Sequence, residues 1–167
     1  MAAALSLLRC GDSTRMLHLF DTFEGMSAPS EFDRRYDGAD ATELRAAHTA
    51  AGQLWCYSPL DEVTRNMYGT GYPKEEIRFV KGKVEDTIPS ASPKTIALLR
   101  LDTDWYESTK HELMHLFPRL VTGGVLVIDD YGHWEGARRA VDEYVEANGL
   151  RMLLARVDYT GRLAIKM

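Results

Sequence analysis

Thr95-Ile96-Ala97-Leu98-Leu99-Arg100-Leu101 is a nearly all-apolar run that ends in Asp102-Thr103-Asp104, and Val125-Leu126-Val127-Ile128 is a second that ends in Asp129-Asp130. Short apolar runs bounded by turn residues read as strands buried on both faces, as in a parallel sheet. The stretch between them, from about Glu107 to Leu120, reads as a helix, and Thr122-Gly123-Gly124 reads as the turn that leads into the second strand. Strand, helix and strand in that order form a βαβ unit, and open parallel sheets bind ligands at the carboxyl ends of their strands. Both acidic clusters fall at such ends.

Working outward, the same alternation continues. Met1 to Leu8 reads as helix and Met16 to Phe20 as a buried strand closed by Asp21. Ser58 is a candidate N-cap, with Pro59 at the first helical position, Asp61 and Glu62 in the first turn and Gly69 near the end. Ile77 to Val80 is the next strand. Gly136 to Ala147 reads as a helix closed by Asn148-Gly149. Met152 to Val157 and Arg162 to Lys166 flank the turn Asp158-Tyr159-Thr160-Gly161, which predicts an antiparallel hairpin. Gly25 to Gly52 is polar and irregular, with a weak helical patch at Thr42 to Ala51. A loop this long usually serves as a lid or a binding segment, so residues 26–57 are expected to meet an acceptor.

Composition narrows the function. The 167 residues are 45% hydrophobic and 27% charged, which suits one globular domain. A net charge of -5 and the lack of a basic stripe argue against a nucleic-acid partner. The apolar start, Ala2 to Leu8, is too short to span a membrane and lacks the basic leader and cleavage signature of a secretory signal. Cys10 and Cys56 form no disulfide framework or metal pair, and they agree with a reducing cytoplasm.

The carboxylates carry the chemistry. A single Asp after a strand is often only a helix N-cap. Adjacent strand ends, however, would bring Asp102, Asp129 and Asp130 within a few ångströms, where like charges raise one another's pKa. A hard divalent cation with oxygen ligands removes that repulsion, and Mg²⁺ keeps positions open for water or substrate. Tyr131 and His133 follow directly and are candidates for acceptor contact, although His133 also reads as a loop histidine that caps the next helix. Trp105, Tyr106 and Trp134 either wall a pocket or pack the sheet. His111 and His115, one helical turn apart, lack a third ligand and read as a solvated face. A different class also fits Asp102-Thr103-Asp104: metal-dependent glycosyltransferases hold Mn²⁺ and a nucleotide diphosphate with an Asp-x-Asp motif.

The block LRLDTDWYESTKHELMHLFPRLVTGGVLVIDDYGHWEGARRAVDEY resembles the macrocin O-methyltransferase family, which methylates deoxysugar hydroxyls on antibiotics. LFDTFEGM, the helix beginning SPLDEV, RFVKGKVEDTIP and the ending VDYTGRLAIKM extend the resemblance along the chain. It implies a class I methyltransferase fold, a Rossmann-like parallel sheet with a C-terminal antiparallel hairpin, and the cofactors S-adenosylmethionine and Mg²⁺. Asp102, Asp129 and Asp130 match the family's metal ligands and Asp104 its general base. Asp21, with Thr22 beside it, matches the ribose-binding strand end, and Gly82, Lys83, Val84 and Glu85 follow the strand where adenine lies. Tyr131, His133 and Trp105 are the expected acceptor contacts. The implied partner is a small glycosylated acceptor, with no nucleic acid and no membrane, and a homo-oligomer is left open.

The chain departs from the family pattern at its start. The resemblance implies N-terminal helices and a first strand followed by a glycine-rich turn, and no such turn precedes Met16. MAAALSLLRCG looks like the helix that follows that turn. The expectation is therefore a single but incomplete methyltransferase domain over residues 1–167, truncated at its N-terminus. Such a fragment would keep a metal site and would either turn over substrate or be inactive.

Overall fold

Two groups of strands organise the chain, and the computed structural model describes all 167 residues of it. β1 (Leu17–Asp21) pairs in parallel with β2 (Ile77–Lys81). β3 (Ile96–Leu101), β4 (Leu120–Ile128), β6 (Arg162–Ile165) and β5 (Ala155–Arg156) form a second sheet in that spatial order. β3 and β4 run parallel, and β6 is antiparallel to β4 and to β5. The two sheets share no ladder, so β1 and β3 each pair on one side only. The residues divide into two compact units accordingly: Met1–Ser27 with Leu54–Thr87, and Ala28–Gln53 with Ile88–Met167. The hydrogen bonding thus gives two sheets, with no strand joining β1 to β3.

In the first unit, α1 (Ala2–Arg9) and α3 (Leu60–Tyr68) cover one face of β1 and β2. Ala4, Met67, Tyr72 and Ile77 are buried there, with Leu7, Leu17, Leu19, Val63 and Phe79 packed around them. The Tyr72 hydroxyl donates to the Arg15 carbonyl at 2.7 Å and ties the loop before β1 to this core. α3 starts one residue later than its sequence predicts: Pro59 is the N-cap, Leu60 is the first helical residue, and no side chain caps it. α4 (Val84–Thr87) is a single turn that the sequence does not announce.

The second unit carries the larger core. Along β3 and β4, Leu99, Leu101, Leu126 and Ile128 are buried, while Leu98 and Arg100 point to the exposed side. α5 (Tyr106–Leu116) packs on α6 (Glu135–Ala147). Leu113, Ala137, Ala140 and Val141 are at most 1% exposed. Pro118 cannot donate to a continuing helix, so α5 closes in a 3₁₀ turn over Phe117–Arg119. The expected turn at Thr122-Gly123-Gly124 lies inside β4 instead. The register slips there, from Ile96 opposite Leu120 to Leu98 opposite Val125, and Gly123 at φ +80° supplies the backbone that the irregularity needs. The C-terminal hairpin is present but shorter than predicted, because β5 has two residues.

Within residues 26–57 the predicted helical patch is α2 (Ala41–Ala50), capped by the Asp40 carboxylate, which accepts from Thr42 N at 2.8 Å and Glu43 N at 3.4 Å. No helix of the protein is long and apolar enough to cross a membrane.

Candidate active site

Parallel register places the acids. Leu101 lies opposite Ile128, so Asp102 and Asp129 leave the sheet side by side, and Asp129 N donates to Leu101 O at 3.0 Å. Asp102, Asp104 and Asp130 each offer a carboxylate oxygen within 4.8 Å of the others. Asp129 is turned toward Arg100, whose guanidinium spans Asp129 at 3.0 Å and Asp102 at 2.7 Å. The structure thus gathers Asp102, Asp104 and Asp130 most tightly, with Asp129 adjacent and neutralised by a strand arginine that the sequence reading assigned no role.

Electrostatics mark the cluster as unusual. Burial, and then the neighbouring carboxylates, raise Asp102 to about 7 against the pull of Arg100. Burial first, then the charge of Asp104, raises Asp130 to about 9. Burial also raises Asp104, offset by hydrogen bonds from Asp130 and Trp134 and by the nearby His133. Asp104 and Asp130 are hydrogen-bonded to one another, so the pair titrates together rather than as two separate acids. Asp130 Oδ2 is nevertheless buried with no hydrogen-bond partner. A buried oxygen without a partner costs about 1–3 kcal/mol, and a cation at this point would satisfy it. Crowded carboxylates, one with an orphaned oxygen, are a donor set that fits a hard divalent ion.

The loops that carry these acids are held from beneath. Thr103 Oγ1 donates to Glu112, which is 5% exposed, at 2.9 Å. Ser108 Oγ donates to the Thr103 and Trp105 carbonyls. Asp104 itself sits at φ +65°, a left-handed conformation that is uncommon for any residue but glycine. The sequence reading missed Glu112 because a glutamate on a helix reads as solvated. Its spacing from Thr103, nine residues across a strand-to-helix turn, was the available signal.

The expected acceptor contacts separate. Trp105 is 2% exposed and stands edge-on to Trp134 at 4.9 Å, so its ring packs α5 against α6. This corrects the acceptor role expected of Trp105. The Tyr131 hydroxyl is spent on Asp142 at 2.6 Å, and Arg138 and Arg162 lie over its ring. His133 does not cap α6, whose N-cap is Trp134 and whose first amides receive no side-chain cap from it. Its Nδ1 is buried and unpartnered. His133 also lines, with Tyr36, Tyr131, Arg138 and Arg162, a cavity of about 200 Å³. His111 is not on a solvated face: its Nε2 meets the Ile88 carbonyl at 3.0 Å.

The other expected ligand residues belong to the first unit. Gly82 N donates to Asp21 O at 3.0 Å, which brings the ends of β1 and β2 together. Asp21 Oδ1 accepts from Phe23 N at 2.6 Å, and the Thr22 hydroxyl donates to Gly25 O at 2.8 Å. Val84 is buried, whereas Lys83 and Glu85 are exposed. Asp21, Gly82, Lys83 and Glu85 thus form a polar edge at the carboxyl ends of these strands, while Thr22 and Val84 shape the turns.

A parallel sheet with helix-linked strands, an antiparallel hairpin at its end and acids at the strand tips defines a class I methyltransferase fold. The solved O-methyltransferase NovP has the same fold, at a TM-score of 0.80 and 31% identity over 96% of this chain and 63% of that one. The family model for Macrocin-O-methyltransferase (TylF) matches residues 1–164, and the chain belongs to that family. It is 36% identical over 151 residues to the 8-demethyl-8-(2,3-dimethoxy-alpha-L-rhamnosyl)-tetracenomycin-C 4'-O-methyltransferase of Streptomyces olivaceus, covering 90% of this chain and 55% of that protein. It is 34% identical over 139 residues to the demethyldecarbamoylnovobiocin O-methyltransferase of Streptomyces niveus, covering 83% and 50%. The chain spans about half the length of these curated relatives.

Proposed function

We propose that this chain carries the acceptor and metal half of a reaction that moves a methyl group from S-adenosylmethionine to a hydroxyl of a sugar on a glycosylated natural product. The observation that carries the reading is the carboxylate cluster at two adjacent strand ends, with the buried, unpartnered Asp130 Oδ2 within it. Asp102, Asp129 and Asp130 would hold Mg²⁺, with Arg100 giving up its contacts to Asp102 and Asp129. When bound, Mg²⁺ would orient vicinal sugar hydroxyls and make one of them more acidic. Asp104 is the base: it is half-buried, burial raises its pKa, and a hydrogen bond from Trp134 orients it. S-adenosylmethionine, when bound, would supply the methyl group to the hydroxyl that Asp104 deprotonates. His133, which lines the cavity of about 200 Å³ next to Tyr131, would contact the sugar. Asp21 would accept the ribose hydroxyls, and Gly82 to Glu85 would flank adenine.

The name of the Streptomyces olivaceus relative, which includes a rhamnosyl group, supports a sugar acceptor. Cys10 and Cys56 are exposed and form no disulfide, which agrees with a reducing cytoplasm. Family membership favours methyl transfer over the glycosyl transfer that Asp102-Thr103-Asp104 alone would allow.

The test is calorimetry with S-adenosylhomocysteine, followed by turnover assays with S-adenosylmethionine, Mg²⁺ and glycosylated acceptors. Binding, with methylation that a chelator abolishes, is the expected result. Nucleotide-sugar binding without S-adenosylhomocysteine binding would move the assignment to glycosyl transfer, and no heat with either ligand would make the chain an inactive fragment.

A further inference from the structure

The polar segment before α2 is fastened to both loops that carry the acids, and a single buried carboxylate does most of the fastening. Asp33 is 1% exposed. Its Oδ1 accepts from Tyr106 N, the first residue of α5 and 73 positions away, at 2.8 Å. Its Oδ2 accepts from Ser30 N at 2.7 Å and Ser30 Oγ at 2.8 Å. Beside it, Arg34 O accepts from Glu135 N at 2.8 Å at the start of α6, and Tyr36 N donates to His133 O at 2.9 Å. Neither α5 nor α6 has a side-chain cap of its own. The first amides of both helices are instead satisfied from residues 33–34.

This matters because a helix start leaves its first four amides without partners and carries partial positive charge. A buried carboxylate at that point is a strong acceptor for them. The residues next to these helix starts are Asp104 and, through His133 and Trp134, Asp130. Gly136 completes the fit: a Cβ there would collide with Asp33 Oδ1.

We propose that Asp33 is a positioning residue for the carboxylate cluster, acting through the N-terminus of α5 and the adjoining first turn of α6. It touches no reacting atom. It fixes the backbone from which Asp102, Asp104 and Asp130 project. The inference rests on the reading of those acids as a metal and base site.

The experiment compares wild type, Asp33→Ala, Asp33→Asn and Gly136→Ala by amide hydrogen exchange and by Mn²⁺ binding followed by electron paramagnetic resonance. In Asp33→Ala, exchange at residues 102–106 and 130–136 should rise at least tenfold, while the interiors of α5 and α6 keep their protection. Mn²⁺ affinity should fall roughly 10–100-fold, the usual effect of losing a group that orients ligands. Turnover should fall through kcat with the acceptor KM nearly unchanged. Asp33→Asn keeps one acceptor oxygen and should fall between wild type and Asp33→Ala. It carries the decision if Asp33→Ala does not fold. Gly136→Ala should reproduce the defect, and should add less in an Asp33→Ala background than in wild type, since the two share one contact. Wild-type exchange in both segments of a folded Asp33 variant overturns the proposal. A wild type that binds no Mn²⁺ overturns the metal reading instead, and the exchange measurement still decides the role of Asp33.

Discussion

The two compact units use their polar residues differently. In the unit of residues 1–27 and 54–87, polar groups at the strand and helix ends complete local turns: Asp21 bonds Phe23 N, Thr22 bonds Gly25 O, and Thr70 Oγ1 bonds Met67 O, while the one orphaned polar atom, His18 Nδ1, is a single ring nitrogen away from any carboxylate cluster. In the unit of residues 28–53 and 88–167, polar groups are crowded, buried and left short of partners, as at Asp130 Oδ2 and His133 Nδ1. A turn rewards its polar residue with a hydrogen bond within two or three positions. The acids at the ends of β3 and β4 are instead crowded against one another, and carboxylates that cost stability in place are the mark of a site kept for chemistry.

The largest expected effect sharpens that contrast. Asp104→Asn preserves shape and the left-handed backbone but removes the base, so kcat should fall about 10²–10⁴-fold with little change in melting temperature. An unchanged kcat would place Asp104 among the structural residues instead.

Core size separates the units next. Leu126 is fully buried, and Leu126→Ala should cost about 2–5 kcal/mol in denaturant unfolding. A loss well under 1 kcal/mol would show that β4 is not the centre of the second unit's core.

The pH response should also single out the second unit. Asp102 and Asp130 have folded pKa values raised to about 7 and about 9, against the ordinary value of 3.8. For an acid with a raised folded pKa, the folded state binds more protons, so the stabilisation present below about pH 4 is lost as pH rises. Metal-free protein should therefore melt at progressively lower temperature from pH 5 to pH 9, and Mg²⁺ should flatten the slope. A melting temperature that climbs over this range in metal-free protein would contradict the crowding.

The smallest effect tests the first unit. Tyr72→Phe deletes the bond to Arg15 O and should cost about 0.5–1.5 kcal/mol, with no change in Mn²⁺ affinity.

Local signals made the strands readable. The apolar runs at 95–101 and 125–128 are too continuous for an amphipathic surface element, and the acids after them gave the site its address. Asp33, Glu112 and Arg100 escaped because their partners are not read from neighbouring positions. Asp33 and Glu112 act through distant partners, 73 and nine residues away, and Arg100 on an apolar strand reads as an interruption rather than a counter-charge. Trp105 was misplaced because an aromatic beside an acid reads equally as pocket wall or core, and only its facing partner Trp134 decides.

The left-handed backbone at Asp104 has one more consequence, for substitution tolerance. A position held at φ +65° accepts a small vocabulary: glycine freely, asparagine and aspartate at modest cost, and β-branched residues only with local damage. A saturation library at position 104 selected for folded protein should return Gly, Asn and Asp. Selected for turnover, it should return Asp alone, because backbone and chemistry filter the alphabet independently and overlap at one letter.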